Sequence, residues 1–247
     1  MNVKDGKMIN KKTTFLFLFI GLFLTGCSAS VSINSDDKVY YAIGDSITWL
    51  EGQKYGDSDE TAIGYPSKVA EGIGFDKVLN KGVNGGSLAK NSKYPENGSI
   101  LLDNDFSDVK YADIITILAG TNDFKLDVPL GEINSDDETT FYGAYNQLLD
   151  KLQDENSEAK ILLITPLHRN NGGYKTETTN KVGYRLEDYR QAVIALAKKH
   201  DLQLIDLFET SLIQDDNLEK YTVDGLHPNA KGFEILADEI INGINNK

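Results

Sequence analysis

Four short segments of the 247-residue chain hold residues whose types and spacing suit bond-breaking chemistry. Gly44-Asp45-Ser46 follows the apolar run Val39-Tyr40-Tyr41-Ala42-Ile43, so a hydroxyl stands on a tight turn where its own N–H can lie close to a reacting carbonyl. A serine is a weak nucleophile unless a general base takes its proton, and that base needs an acceptor on its second nitrogen to set tautomer and orientation. Asp224-Gly225-Leu226-His227-Pro228 offers both groups in one loop, bent by Gly225 and stiffened by Pro228. Each segment alone also has a plainer reading. Gly-Asp-Ser is a common turn and helix-capping composition, and the Asp-to-His segment suits a surface turn before a last helix. The elbow pattern Gly-x-Ser-x-Gly is not matched, because Thr48 stands where its second glycine would be.

Acyl transfer also needs donors aimed at a tetrahedral oxyanion from a rigid frame. Gly82-Val83-Asn84-Gly85-Gly86 and Gly120-Thr121-Asn122-Asp123 supply backbone N–H groups and an asparagine amide. Neither matches the dinucleotide fingerprint Gly-x-Gly-x-x-Gly or a phosphate loop. A different chemistry would draw on Asp45, Asp123, Asp224 and His227 as ligands of a divalent ion in a phosphoesterase, but the several histidines usual in such sites are missing. Of the remaining histidines, His200 reads as a cation at a helix end. His168 reads either as a substrate contact or as a solvated loop residue.

The elements that must position these segments alternate in type. Val39–Ile43, Lys77–Asn80, Ile114–Leu118, Ile161–Ile164 and Leu202–Leu207 read as strands. Helices are expected after Pro66, over Phe141–Gln153, through Leu186, Tyr189, Val193, Ile194 and Ala197, and through Phe233, Leu236, Ala237 and Ile240. Five strands separated by helices imply an α/β fold with a parallel sheet covered on both faces. Ligands of such sheets sit at the carboxyl ends of the strands, and three of the four segments fall there.

Composition narrows the partners. With 25 Lys+Arg against 38 Asp+Glu the formal charge is −13, so phosphate backbones are repelled and no nucleic-acid partner is expected. The single cysteine forms no internal disulfide and no Cys-based zinc cluster. Lys4, Lys7, Lys11 and Lys12 precede the apolar run Phe15–Leu24, which is too short for a stable span, and Leu24-Thr25-Gly26-Cys27 follows. Residues 1–26 therefore read as a signal peptide. The Leu-Thr-Gly-Cys end resembles a bacterial lipobox, which implies lipidation of Cys27, export, and anchorage on the outer face of the cell membrane through acyl chains. Without residues 1–26, which hold four Lys and one Asp, 21 basic and 37 acidic residues leave −16. Residues 27–37 form a polar tether ahead of a domain spanning 38–247.

In that order, the four segments resemble the four blocks of the SGNH/GDSL family of serine esterases and lipases. The resemblance runs from about residue 38 to 245. It implies a three-layer α/β/α sandwich with a flavodoxin-like, five-stranded parallel sheet. Carried over block by block, Ser46 is the nucleophile and Asp224 and His227 complete a triad. Gly85 and Asn122 join the Ser46 N–H as oxyanion donors. Gly85 rather than Gly82 is implied, because Asn80-Lys81-Gly82-Val83-Asn84-Gly85 matches the family's form. Ile47 replaces a frequent leucine and Gly86 an aspartate. No metal and no cofactor are required. For substrate, loops 49–65 and 170–183 each could border the crevice. Trp49, Tyr55, Tyr65 and Tyr174 among polar groups suit a short-acyl ester of a carbohydrate or other polar alcohol, with lipase or lysophospholipase activity as the alternative, and a non-catalytic binding lipoprotein as a further one.

Overall fold

Alternate residues of the strands bury toward opposite faces of one sheet. In β1 (Val39–Gly44) every residue is buried, Tyr41 and Ile43 on one side and Tyr40 and Ala42 on the other. A computed structural model of the chain describes residues 32–55, 59–90, 98–100 and 102–246. Residues 1–26 and Cys27 lie outside the described residues. Within residues 27–37, expected as a polar tether, Ile33 packs against the core and Asn34–Asp37 close a turn, the Asn34 N–H donating to Asp37 Oδ2 at 2.8 Å.

The chain continues through α1 (Ser46–Trp49), α2 (Tyr65–Ile73), β2 (Lys77–Gly82), β3 (Ile114–Leu118), α3 (Thr121–Lys125), α4 (Phe141–Glu155) and β4 (Lys160–Ile164). It then forms the small hairpin β5 (Asn170–Asn171) and β6 (Tyr174–Lys175), followed by α5 (Leu186–Lys199), β7 (Gln203–Ile205), α6 (Leu207–Thr210), α7 (Leu218–Tyr221) and α8 (Ala230–Asn245). The main sheet has the order β2-β1-β3-β4-β7, all parallel. The expected three-layer sandwich and five-stranded parallel sheet are both present. One face carries α4 and α5, through Phe141, Tyr145, Leu149, Tyr189 and Val193; the other carries α2 and α8, through Val69, Phe233, Leu236 and Ile240. In α4 the buried apolar side chains at 141, 144, 145, 148, 149 and 152 follow the three-and-four spacing of a helix with one apolar face. Truncating a fully buried member such as Leu149 to Ala costs about 2–5 kcal/mol.

The fifth strand is shorter than the sequence predicts. Asp206, expected inside it, instead binds Arg190 through both carboxylate oxygens and accepts from the Thr165 hydroxyl at 3.0 Å, which turns the chain so that Leu207 begins α6. At the second strand the ladder runs two residues beyond expectation, to Gly82.

Register is what positions the site. Gly44 at the end of β1 pairs with Gly82 of β2 on one side and with Leu118 of β3 on the other, and Leu118 pairs with Ile164 of β4. Because parallel strands in register end on one side of the sheet, the segments that follow them emerge together. They flank β1, where the strand order reverses.

Candidate active site

Ser46 opens α1, immediately after the strand. Asp45 is the N-cap of that helix, its Oδ1 accepting from the Ile47 N–H at 2.9 Å. The aspartate caps the helix, and the serine beside it is its first residue. The turn is pinned from below, where Thr48 Oγ1 lies 2.8 Å from the buried Tyr65 hydroxyl and the Asn80 amide donates to the Thr48 carbonyl at 2.8 Å.

Ser46 Oγ lies 2.9 Å from His227 Nε2, and His227 Nδ1 lies 2.8 Å from Asp224 Oδ2. A carboxylate can only accept, so Nδ1 carries its hydrogen, and in the neutral imidazole Nε2 is left to accept from the Ser46 hydroxyl. Asp224 and His227 stand in one closed turn, in which the Val223 N–H donates to the His227 carbonyl at 2.9 Å and the Gly225 N–H to Thr222 Oγ1 at 2.9 Å. Gly225 adopts φ +83, and a Cβ there would lie 2.2 Å from the Asn170 carbonyl oxygen, so the turn admits only glycine. Partial burial pushes the Asp224 carboxyl up. The His227 ring N–H, the His227 and Leu226 backbone N–H groups and the His227 charge outweigh it and hold the pKa at about 2. Asp224 is therefore ionised at every working pH.

The two segments expected to supply oxyanion donors are tied to this centre. The Val83 N–H donates to the Gly44 carbonyl at 2.9 Å, joining the Gly-rich turn to the residue two before Ser46. Gly85 has φ +69 with open space where a Cβ would be, whereas at Gly82 a Cβ would meet the Trp49 nitrogen at 2.3 Å. Gly82 serves close packing, and Gly85 serves a backbone conformation. The N–H groups of Ser46 and Gly85 have no acceptor among the described residues. Asn122, buried, donates one amide hydrogen to the Gly86 carbonyl at 3.0 Å and keeps its second. Next to it Asp123 accepts from the Leu88 and Ala89 N–H groups at 2.9 and 3.0 Å. Burial pushes Asp45 up to about 6 and Asp123 to about 7. Both carboxyls are thus held by backbone N–H groups, and among the described residues no three of His, Cys, Asp and Glu gather as a metal site would require.

A cavity of about 960 Å³ opens beside Ser46 and His227. Trp49, Leu50, Tyr55 and Val223 form its apolar wall, with Lys54, Glu60 and Lys231 also lining it. Trp49, Leu50 and Tyr55 of loop 49–65 thus supply most of that apolar wall, and among the described residues none of the lining comes from loop 170–183. That second loop lies against the Asp224 side: Tyr174 packs edge-on to Phe124 at 5.5 Å, and the Asn170 N–H donates to the Gly225 carbonyl at 2.7 Å. His168 is in neither of its expected places. Its ring packs on Phe208 at 4.3 Å with Nδ1 3.1 Å from Asp215, away from the cavity lining. His200 caps α5 beside Asn146, burial together with the Lys199 charge lowers its pKa, and Lys198 and Lys199 stand in the same last turn.

Two residues of the site have no signature in the sequence. Arg169, with no exposed surface, donates to the Thr121 carbonyl at 2.8 Å and to its hydroxyl at 2.7 Å. Burial lowers its pKa to about 10, against the opposing charges of Asp45 and Asp224. Asn171 donates to the carbonyl and to Oδ2 of Asp224 at 3.1 and 3.0 Å. Their only sequence signal is position, just past the carboxyl end of the fourth strand.

An α/β/α sandwich with a hydrogen-bonded serine, histidine and aspartate at the strand ends is the build of a serine-type hydrolase. The chain belongs to the GDSL-like lipase/acylhydrolase family, whose profile matches residues 42–235. No curated protein matches it significantly. Among solved structures, a Lactobacillus plantarum protein is 27% identical, with a TM-score of 0.70 over 85% of this chain and 97% of that one. A possible lipase from Chitinophaga pinensis is 24% identical, with a TM-score of 0.64 over 83% and 96%. A variant of an acetyl-xylooligosaccharide esterase from Geobacillus is 20% identical, with a TM-score of 0.56 over 87% and 97%. The last two likenesses are of fold.

Proposed function

We propose that the protein is a serine esterase with Ser46 as nucleophile, His227 as general base and acid, and Asp224 as the group that orients the imidazole. The observation that carries this reading is the unbroken line from Ser46 Oγ to His227 Nε2 at 2.9 Å and from His227 Nδ1 to Asp224 at 2.8 Å. Ser46 Oγ attacks the ester carbonyl carbon while its proton passes to Nε2. The N–H groups of Ser46 and Gly85 and the free amide hydrogen of Asn122 receive the oxyanion. The alcohol leaves with the proton from His227, and water, activated by the same imidazole, releases the acid from Ser46. Treatment with a fluorophosphonate should add one organophosphoryl group to the intact protein by mass spectrometry and none to Ser46→Ala; an unlabelled wild-type protein rejects the reading.

The substrates proposed are short-acyl esters, acetyl esters among them, of a carbohydrate or another polar alcohol. Trp49 and Tyr55 supply flat apolar surface beside His227, where the alcohol must lie to take its proton, and Lys54, Glu60 and Lys231 supply polar contacts. The acetyl-xylooligosaccharide esterase that shares the fold is consistent with this class. The apolar Leu50 and Val223 in the same wall favour a second reading, a lipase or lysophospholipase. A chain-length series of p-nitrophenyl esters separates the two, since a maximum at eight carbons or more rejects the acetyl reading. Residues 1–26 are proposed to direct export and Cys27 to carry the lipid that holds the enzyme on the outer face of a bacterial membrane. Cys27→Ser should then move the enzyme from the membrane fraction to the medium.

A further inference from the structure

Between the acid of the site and the segment that carries Asn122 lies a hydrogen-bonded chain that the reaction as written does not use. It begins at Thr121, the first residue of α3, whose carbonyl and hydroxyl both accept from one guanidinium nitrogen of Arg169 at 2.8 and 2.7 Å. The other terminal nitrogen donates to the Asn171 carbonyl at 3.3 Å, so Arg169 cross-links α3 to the residue two positions after it. From there two contacts reach the histidine turn: the Asn170 N–H to the Gly225 carbonyl at 2.7 Å, and the Asn171 amide to the carbonyl and Oδ2 of Asp224 at 3.1 and 3.0 Å. Oδ2 is the same oxygen on which His227 Nδ1 rests.

A guanidinium with no exposed surface is a costly thing to place in a core. Among the described residues no carboxylate lies within ion-pair distance of it, and its Nε has no acceptor. Packing alone would be met by an apolar chain of the same volume. What the arginine adds is a planar fork that holds two backbone segments at a fixed separation, and a positive charge behind Asp45 and Asp224.

We propose that Arg169 and Asn171 are positioning residues of this site: Arg169 locks segment 169–171 to α3, and Asn171 holds the Asp224 oxygen that orients His227. This rests on the reading of Ser46, His227 and Asp224 given above. The two residues touch no reacting atom. They set where the carboxylate stands and how much of its charge the imidazole receives, because an amide donor on Oδ2 shares that oxygen with Nδ1.

The test is the pH dependence of kcat and KM for p-nitrophenyl acetate in Asn171→Ala, Asn171→Asp and Arg169→Lys. Asn171 is only partly buried, so its variants should keep the wild-type thermal midpoint. In Asn171→Ala kcat should fall about ten- to a hundredfold with KM within twofold, the size of one hydrogen bond to a charged group. The acidic limb of the kcat/KM profile should move to higher pH, since the carboxylate then bears more fully on the protonated imidazole. Asn171→Asp should move the limb further in the same direction. Arg169→Lys keeps the charge without the fork, and combining it with Asn171→Ala should give less than the product of the two losses. Unmoved limbs with kcat within twofold in both Asn171 variants overturn the proposal, as does a loss confined to KM. Full multiplication of the two losses overturns the route from Arg169 through Asn171. If Arg169→Lys does not fold, the Asn171 pair still decides. Fluorophosphonate labelling of the wild-type protein separates the failures: labelled wild type with unmoved Asn171 profiles sinks the positioning role alone, and unlabelled wild type sinks the nucleophile.

Discussion

The side-chain amide of Asn122 donates to the main-chain carbonyl of Gly86 at 3.0 Å. Together with Asp123, which accepts from Leu88 and Ala89, it lets the five-residue α3 grip the chain just beyond Gly85. The two proposed donor segments are thus one unit, and the second amide hydrogen of Asn122 is oriented by the bond that the first makes. Asn122→Ala should lower kcat for p-nitrophenyl acetate by about 10²–10³ with a small change in KM, the loss typical of one oxyanion donor. Steady-state kinetics check this, and a loss in KM alone would place Asn122 in substrate binding.

Ser46→Ala and His227→Ala should each abolish hydrolysis of the same ester. Asp224→Asn should leave a residue of activity about 10³–10⁴ below wild type, because the amide can neither fix the tautomer nor stabilise the charged imidazole. Full activity in Ser46→Ala would end the assignment.

Gly225→Ala should damage stability and activity together. The added Cβ meets the Asn170 carbonyl oxygen at 2.2 Å in a backbone with φ +83, so the turn that carries Asp224 and His227 has to move. About 2 kcal/mol or more of destabilisation is expected, or about 4–8 °C in Tm for a domain of this size. Gly85→Ala, with open space around it, should cost about 1 kcal/mol. Equal melting temperatures for the two variants would contradict this account.

Stability should be greater at pH 5 than at pH 7.5. Asp45 and Asp123, buried, hold their protons to about 6 and about 7, while unfolded they release them near 3.8. Between about 4 and 7 the folded state therefore binds more protons than the unfolded one, and stability falls as pH rises through that window. Asp224 has the opposite sign: held at about 2, its contribution is present above about 4 and is lost as pH falls toward 2. A scan of Tm from pH 3 to 8 should show the slope, and Asp123→Asn should flatten its neutral arm. That variant should also lose about 1–3 kcal/mol, since Leu88 and Ala89 donate to different carboxylate oxygens and the NH2 that replaces one of them cannot accept. A wild-type Tm that rises steadily to pH 8 would refute the burial argument.

Much of this protein is set by local pattern. The apolar runs at Val39, Ile114 and Ile161 determine strands, and the three-and-four spacing from Phe141 determines α4, because side-chain periodicity is a property of neighbours in the chain. The type of residue after each strand determines what chemistry can stand at the sheet's edge, and parallel pairing brings those edges to one side whatever the details. Distance between remote residues follows no such rule. That Ser46 meets His227 across 181 positions, that Asp206 leaves its strand to bind Arg190, and that His168 packs on Phe208 were decided by tertiary packing. So was the division of labour between loops, with 49–65 walling the cavity and 169–171 bracing Asp224. Arg169 shows the limit most clearly. In the sequence it is one cation after a histidine, and only burial, which removes its water and leaves its guanidinium Thr121 and Asn171 as hydrogen-bond acceptors, turns it into the tie between α3 and segment 169–171.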